Sequence, residues 1–289
     1  MMHPKGKLII VGGNEDKGTI RDPKYKQKKY LDFFELGILK RVISEMKGKD
    51  SHIEVITSAS RIPEEVGRNY LVAFNLLGCK HVKLMHIKCK EDTENEDYMN
   101  RISKADGIMF TGGNQLRLKT IFLHTKMLSL MKQRYLDDNF VIAGTSAGAV
   151  AVSEKMIFGG SSSDSFIKGA VKITEGLGFL NNVIIDSHFV ARGRFGRLAE
   201  AVASHQELIG IGLGEDTGVL ITDGDHLETI GSGLVIIFDG GKIVHTNISE
   251  LKEGSPVSIE NLVVHVLAKG NSYTLKDRTF LAQSLVNKV

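Results

Sequence analysis

Short, unbroken apolar runs alternate along the first half of the chain with segments whose apolar residues return every three or four positions. Leu8-Ile9-Ile10-Val11, Ile53-Glu54-Val55-Ile56, Val82-Lys83-Leu84-Met85-His86-Ile87, Gly107-Ile108-Met109-Phe110 and Val141-Ile142-Ala143 each read as a strand. Runs of this kind suit strands buried on both faces, as in a parallel sheet covered by helices. Between the first two, residues 30–46 place Leu31, Phe34, Ile38, Leu39, Val42, Ile43 and Met46 on one helical face, closed by Gly48. Pro63 opens a second helix through Val66, Tyr70, Phe74 and Leu77, and residues 116–135 form a further helical stretch. The acidic run Glu91-Asp92-Thr93-Glu94-Asn95-Glu96-Asp97 suits the start of a short helix, where negative charge meets the positive end of the helix dipole. Four strand-then-helix units followed by a fifth strand predict an α/β fold with a doubly wound, mostly parallel sheet.

The second half is less regular. Ile184-Ile185-Asp186 and Leu208-Ile209-Gly210-Ile211-Gly212-Leu213-Gly214 read as buried strands. The glycines of the latter alternate within a strand instead of lying between a strand and a helix, which excludes a dinucleotide-binding loop. Val219-Leu220-Ile221-Thr222, Leu234-Val235-Ile236-Ile237-Phe238 and Leu262-Val263-Val264-His265-Val266-Leu267 follow, punctuated by Asp223-Gly224 and Gly240-Gly241. These turn signals predict antiparallel strands added to the sheet edge near the C-terminus. No internal repeat or low-complexity segment divides the chain, so residues 1–289 read as a single α/β domain.

Composition narrows the partners. A net charge of +3 with 25% charged residues is ordinary, and gives no case for nucleic acid as a partner. The one dense basic run, Lys24, Lys26, Lys28 and Lys29, reads as a solvated face. Cys79 and Cys89 have neither C-x-x-C spacing nor a nearby histidine pair, so no metal site and no cofactor is expected, and both read as reduced and structural. The stretch before Leu8 has no apolar core of a secretory signal, and no run is long enough to span a bilayer. The expectation is a cytoplasmic protein with no membrane partner.

Chemistry concentrates at the ends of the strands. Gly144-Thr145-Ser146-Ala147-Gly148 follows an apolar strand and precedes a short helix, the G-x-S-x-G pattern of a nucleophile elbow. The turn needs small residues around the serine because the backbone reverses closely there, and the helix that follows turns N–H groups toward whatever the hydroxyl attacks. The same pattern also fits a turn that binds phosphate or only packs tightly. Gly112-Gly113, at the end of another strand with Asn114 and Gln115 behind it, supplies a second set of donors, so that the Gly113 and Ala147 N–H groups form an oxyanion hole; the alternative is a plain turn. Asn14-Glu15-Asp16-Lys17, after Gly12-Gly13, lies where open α/β sheets bind ligands, and reads equally as a polar surface turn.

A serine nucleophile needs a base. Among the ten histidines, His188 stands out, just past a strand end beside Asp186 and followed by Arg192, Arg194 and Arg197. Such an arginine cluster offers bidentate donors to substrate carboxylates, and at least one of the three reads as a recognition residue. Glu215, at the end of the next strand, is the first candidate to orient the imidazole, with Asp216 and Asp186 as rivals.

In this order, Gly12-Gly13-Asn14-Glu15-Asp16-Lys17, the loop of residues 111–115, Gly144-Thr145-Ser146-Ala147-Gly148-Ala149, Asp186-Ser187-His188-Phe189 with its arginines, and Gly214-Glu215-Asp216-Thr217 resemble the cyanophycinases, a serine exopeptidase family related to peptidase E, the aspartyl dipeptidases. The resemblance implies a flavodoxin-like, class I glutamine amidotransferase-like fold, usually a homodimer. It implies hydrolysis of multi-L-arginyl-poly-L-aspartate to β-Asp-Arg dipeptides, with Ser146 as nucleophile, His188 as base and Glu215 as third member. It places Gln115, Asp186, Arg192, Arg194 and Arg197 along the substrate pocket. Asn14, Ser187 and Gly214 depart from the residues usual at those motif positions, and none of these changes removes a catalytic group. The alternatives are a dipeptidase or amidase acting on a small β-aspartyl substrate with the same triad, and a non-catalytic binding protein on the same fold.

Overall fold

The computed structural model describes residues 3–17 and 37–282. The basic run at Lys24 to Lys29 and the first part of the helix expected over residues 30–46 lie outside the described residues; the described part of that helix, α1, is Gly37–Ser44. Five parallel strands form one side of the larger sheet, with β3 at its edge: β1 (Lys7–Val11), β2 (His52–Ile56), β3 (His81–Met85), β4 (Gly107–Phe110) and β5 (Val141–Thr145), in the order β1-β5-β4-β2-β3. Side chains of the inner strands alternate between two apolar layers. Leu8 and Ile10 of β1 face one layer with Ile108, Phe110 and Ile142, whereas Ile9 and Val11 face the other with Met109, Val141 and Ala143. Both faces are buried, which is why these strands read as unbroken apolar runs.

The helices α1 and α2 (Pro63–Leu76) cover one face. The other face takes α4 (Gln115–Phe122) and α5 (Lys126–Asp137), with α3 (Glu96–Lys104) packed beside them. The single helix expected over residues 116–135 is two helices. His124 takes a φ of +60°, and the Thr125 hydroxyl caps α5 by accepting the Leu128 N–H at 3.2 Å, a contact that typically contributes about 1 kcal/mol. His86 falls just past β3 and not within it, beside the Thr57 hydroxyl. Cys79 is buried and Cys89 exposed, and both are free thiols, so only Cys79 fits the structural reading.

After β5 come a short helix, α6 (Ala147–Ala151), a two-stranded ribbon of β6 (Lys155–Gly159) and β7 (Lys172–Glu175), and then a second sheet. Its strands include β8 (Val183–Asp186) and β9 (Ile209–Leu213), which run parallel, with α7 (Phe195–Ser204) between them in sequence. The chain then returns to the first sheet. β10 (Thr217–Thr222) pairs antiparallel with β1, and β11 (His226–Gly231) pairs with β10 across the three-residue loop 223–225, in which Asp223 and Gly224 both have positive φ.

One expectation fails here. β12 (Val235–Asp239) does not extend the main sheet but pairs with β9, and Gly240-Gly241 begins a 3₁₀ turn, not a hairpin. After the small ribbon of β13 (His245–Thr246) and β14 (Ile259–Glu260), β15 (Val263–Leu267) joins β12 in the second sheet as well. The edge of the first sheet is instead completed by β16 (Ser272–Thr274) and β17 (Thr279–Leu281). Ile185, Ile211, Leu213, Val235 and Ile237 of the second sheet share one apolar cluster with Leu8, Ile10 and Ile142 of the first, so the two sheets close on a common core. No helix among the described residues is long and apolar enough to cross a membrane.

Candidate active site

The carboxyl ends of the two sheets meet above β1. Three consecutive β1-end carbonyls each hold the backbone of a different strand end: Val11 accepts the Ser146 N–H at 2.9 Å, Gly12 the His188 N–H at 2.8 Å, and Gly13 the Asp216 N–H at 2.8 Å. Gly12 has to be glycine because a Cβ there would run into the Gly214 carbonyl.

Ser146 sits on a sharp turn with φ +51° and ψ −109°. A non-glycine residue in such a conformation costs about 1–3 kcal/mol and persists only where its surroundings hold it. The small residues of the motif make the turn possible: a Cβ on Gly144 would lie 2.7 Å from the Gly148 carbonyl carbon, and one on Gly148 would strike the Phe110 carbonyl. The hydroxyl Oγ stands 3.0 Å from His188 Nε2, and His188 Nδ1 stands 3.0 Å from Glu215 Oε1. An ionised carboxylate only accepts, so Nδ1 carries the ring proton and Nε2 is left to accept from the serine hydroxyl.

His188 itself has a positive φ of +49°. Its neighbour Phe189 lies on β9 where Gly212 leaves room, a Cβ on Gly212 falling 2.7 Å from the Phe189 ring. Gly210 of the same strand instead makes room for α7, a Cβ there falling 2.8 Å from Val202. Of the rivals to Glu215, Asp216 is turned away, accepting the Asp16 N–H at 2.9 Å and the Ser232 hydroxyl at 2.8 Å, and Asp186 is engaged elsewhere. The structure thus brings Ser146, His188 and Glu215 together in one relay.

Ala147 opens α6 directly after the serine, and the Gly112-Gly113 loop lies alongside, with a Cβ on Gly112 reaching 3.8 Å from Ser146 Oγ. Neither the Gly113 nor the Ala147 N–H donates to a backbone carbonyl among the described residues outside the regular helices and strands. Gly113, at φ +145°, is pressed against the Ala59 carbonyl, which accepts the Asn114 N–H at 2.9 Å.

The residues expected to line a pocket separate into two kinds. Asp186 is buried, and its carboxylate takes Arg197 Nε at 2.9 Å, Arg197 Nη2 at 2.5 Å and Arg194 Nη1 at 3.0 Å. The Asp186 carboxylate is thus engaged inside the protein, where it holds two arginines in place. Arg197 also donates to the Gly160 carbonyl at 2.9 Å, and Arg194 to the Ser187 carbonyl at 2.7 Å. Burial, together with Arg197 and Arg192 nearby, pulls the Arg194 guanidinium below its ordinary pKa despite Asp186. Arg192 is exposed and has no ion pair among the described residues. Gln115, half-buried at the start of α4, donates through Nε2 to the Ile157 carbonyl of β6 at 2.9 Å.

Sequence reasoning missed the role of Glu15. Far from a polar surface turn, its carboxylate is buried and accepts from the Thr145 hydroxyl at 2.6 Å, from the Tyr70 hydroxyl, and from the Lys17 ammonium at 2.9 Å. Lys17 also stands 5.0 Å from the centre of the Tyr70 ring. Burial alone would raise the Glu15 pKa, but the Lys17 charge and the hydroxyl donors outweigh it and hold the carboxyl below its ordinary value. Tyr70 is pushed well above its own by burial and by the Glu15 charge.

Comparison with known proteins gives one consistent picture. The sequence model of peptidase family S51 matches residues 22–230. The cyanophycinase of Geminocystis herdmanii (strain PCC 6308) is 34% identical over 272 residues, covering 94% of either chain. That of Trichormus variabilis (strain ATCC 29413 / PCC 7937) is 32% identical over 277 residues, covering 96% of this chain and 88% of the relative. Among solved structures, a peptidase from an acI-B1 Actinobacterium aligns over 95% of this chain and 99% of its own with a TM-score of 0.62 at 20% identity, a likeness of fold.

Proposed function

The chain belongs to peptidase family S51, and from that premise we propose that it is a serine exopeptidase that hydrolyses cyanophycin, multi-L-arginyl-poly-L-aspartate, to β-Asp-Arg dipeptides through an acyl-enzyme. The observation that carries the reading is the continuous relay from Ser146 Oγ through the His188 ring to Glu215, each step 3.0 Å. The choice of polymer rests on the relatives named above.

In the first half-reaction Ser146 Oγ bonds to the scissile carbonyl carbon while its proton passes to His188 Nε2. Glu215 stabilises the imidazolium that forms. The oxyanion is held by the N–H groups of Ala147 and Gly113, each such donor contributing about 3 kcal/mol of transition-state stabilisation. Collapse breaks the C–N bond, and His188 returns the proton to the departing amine. Water then attacks the ester with His188 as its base, releasing the acid product and the free serine. Arg192, exposed and four residues after the histidine, is the guanidinium best placed to meet carboxylates of the substrate, with Arg194 and Arg197 held inside the protein by Asp186.

The enzyme so read is a cytoplasmic homodimer, a part of the proposal that rests on family resemblance and on the free thiols; gel filtration with light scattering checks the dimer. The chemistry is tested by Ser146→Ala, which lowers dipeptide release from cyanophycin by about four to six orders of magnitude; undiminished release overturns the proposal. Wild-type protein is assayed in parallel on short β-aspartyl dipeptides, and cleavage of those without cleavage of the polymer overturns the choice of substrate while leaving the triad.

A further inference from the structure

The cluster of buried Glu15, Tyr70 and Thr145 with half-buried Lys17 has no part in the proton relay, yet Thr145 directly precedes Ser146 in the chain. Thr145 is the last residue of β5, paired in register with Val11 of β1, and the next residue is the strained Ser146. The Glu15 carboxylate joins three elements: the loop after β1 through Lys17, helix α2 through Tyr70, and the strand end through Thr145.

Such a cluster is a poor way to gain stability. A buried ionic group must recover a desolvation cost of several kcal/mol, and apolar residues of similar volume usually serve stability as well or better. Its position supplies the other explanation. The Ser146 N–H on Val11 fixes the backbone on the near side of the turn, and α6 fixes the far side. The Thr145 side chain is the remaining handle on the peptide that enters the turn, and Glu15 holds it at 2.6 Å. A hydroxyl that must keep 3.0 Å from an imidazole tolerates little rocking of that peptide, because misplacement by about 1 Å costs on the order of a hundredfold in rate.

We propose that Glu15 is a positioning residue which, acting through the Thr145 hydroxyl, locks the Ser146 turn so that Oγ points at His188. The proposal rests on the reading of Ser146 as the nucleophile. Lys17 and Tyr70 serve it by holding Oε1 of the carboxylate while Thr145 donates to Oε2.

The test measures turnover of cyanophycin and the rate at which a fluorophosphonate probe labels Ser146, in wild type, Thr145→Val, Thr145→Ser, Glu15→Gln and Tyr70→Phe, with thermal unfolding followed for each. Thr145→Val keeps the shape and loses the hydroxyl. It lowers kcat by ~10–100-fold with little change in KM and slows labelling by the same factor. Thr145→Ser, which keeps the hydroxyl, restores both to near wild type, a rescue that a purely packing role would not give. Should Thr145→Val fail to fold, Glu15→Gln and Tyr70→Phe report on the same carboxylate and show the same parallel loss of kcat and labelling. Wild-type rates in folded variants, or no rescue by Thr145→Ser, overturn the positioning role alone. A wild-type Ser146 that takes no probe overturns the nucleophile assignment and the positioning role with it.

Discussion

Gly13 lies against the imidazole of His188: a Cβ added at Gly13 would stand 2.6 Å from Nε2, the nitrogen that faces Ser146. Its φ of +112° is also one that side-chain-bearing residues rarely adopt. Gly13→Ala therefore pushes the ring off the serine hydroxyl and strains the turn together. We expect kcat to fall by about a hundredfold or more and the unfolding midpoint to drop, the first read by steady-state kinetics and the second by calorimetry. A variant that loses stability but keeps its turnover would show that the ring has room to move.

Glu215→Gln keeps the size of the side chain and removes the charge that favours imidazolium. The expected loss in kcat is about 10³- to 10⁴-fold with KM largely kept. Serine labelling slows in parallel, since the same proton transfer precedes it. Loss confined to KM would place Glu215 in substrate binding instead.

Asp186 holds Arg194 and Arg197 at distances of 2.5–3.0 Å inside the protein. Asp186→Ala leaves a buried guanidinium without its counter-charge, at an expected cost of about 3–5 kcal/mol in urea-induced unfolding. Asp186→Ala combined with Arg197→Met removes the carboxylate together with the more buried of its two arginines and recovers part of that loss, Arg194 still lacking its counter-charge. Equal losses in the single and double variants would mean that the pair is not coupled.

Glu15 gives the pH dependence a definite sign. Its carboxyl is held below the ordinary value of 4.5 in the folded protein, so ionised Glu15 favours the folded state. The stability it contributes is fully present above about pH 4.5 and is lost as pH falls through the depressed folded value. Unfolding free energies measured from pH 7 downward should show an acid-labile component in wild type that Glu15→Gln lacks. Parallel curves would refute it.

These residues also show what was legible in the sequence. Ser146, His188 and Glu215 each follow a short apolar run, and strand ends of an α/β sheet are where reactive groups gather, so the sequence singles out three side chains that the structure brings into contact. Glu15 is not among them, because its burial depends on Tyr70 and Thr145, which come from remote elements. Tyr70 in particular read only as part of an apolar helix face. The parallel core was legible from runs buried on both sides. The assignment of β12 and β15 to a second sheet was not, since alternation and turn glycines identify a strand without saying which neighbour it pairs with. The break between α4 and α5 hangs on one residue, His124, whose positive φ leaves little trace in a hydrophobic pattern.

Ser146 belongs to the first sheet, His188 follows a strand of the second, and Glu215 lies where the chain crosses back between them. A polypeptide still emerging from the ribosome thus carries the hydroxyl long before its base. A fragment ending ahead of β8 has the elbow but neither His188 nor Glu215, so the chain of contacts forms only once the second sheet has closed over β1.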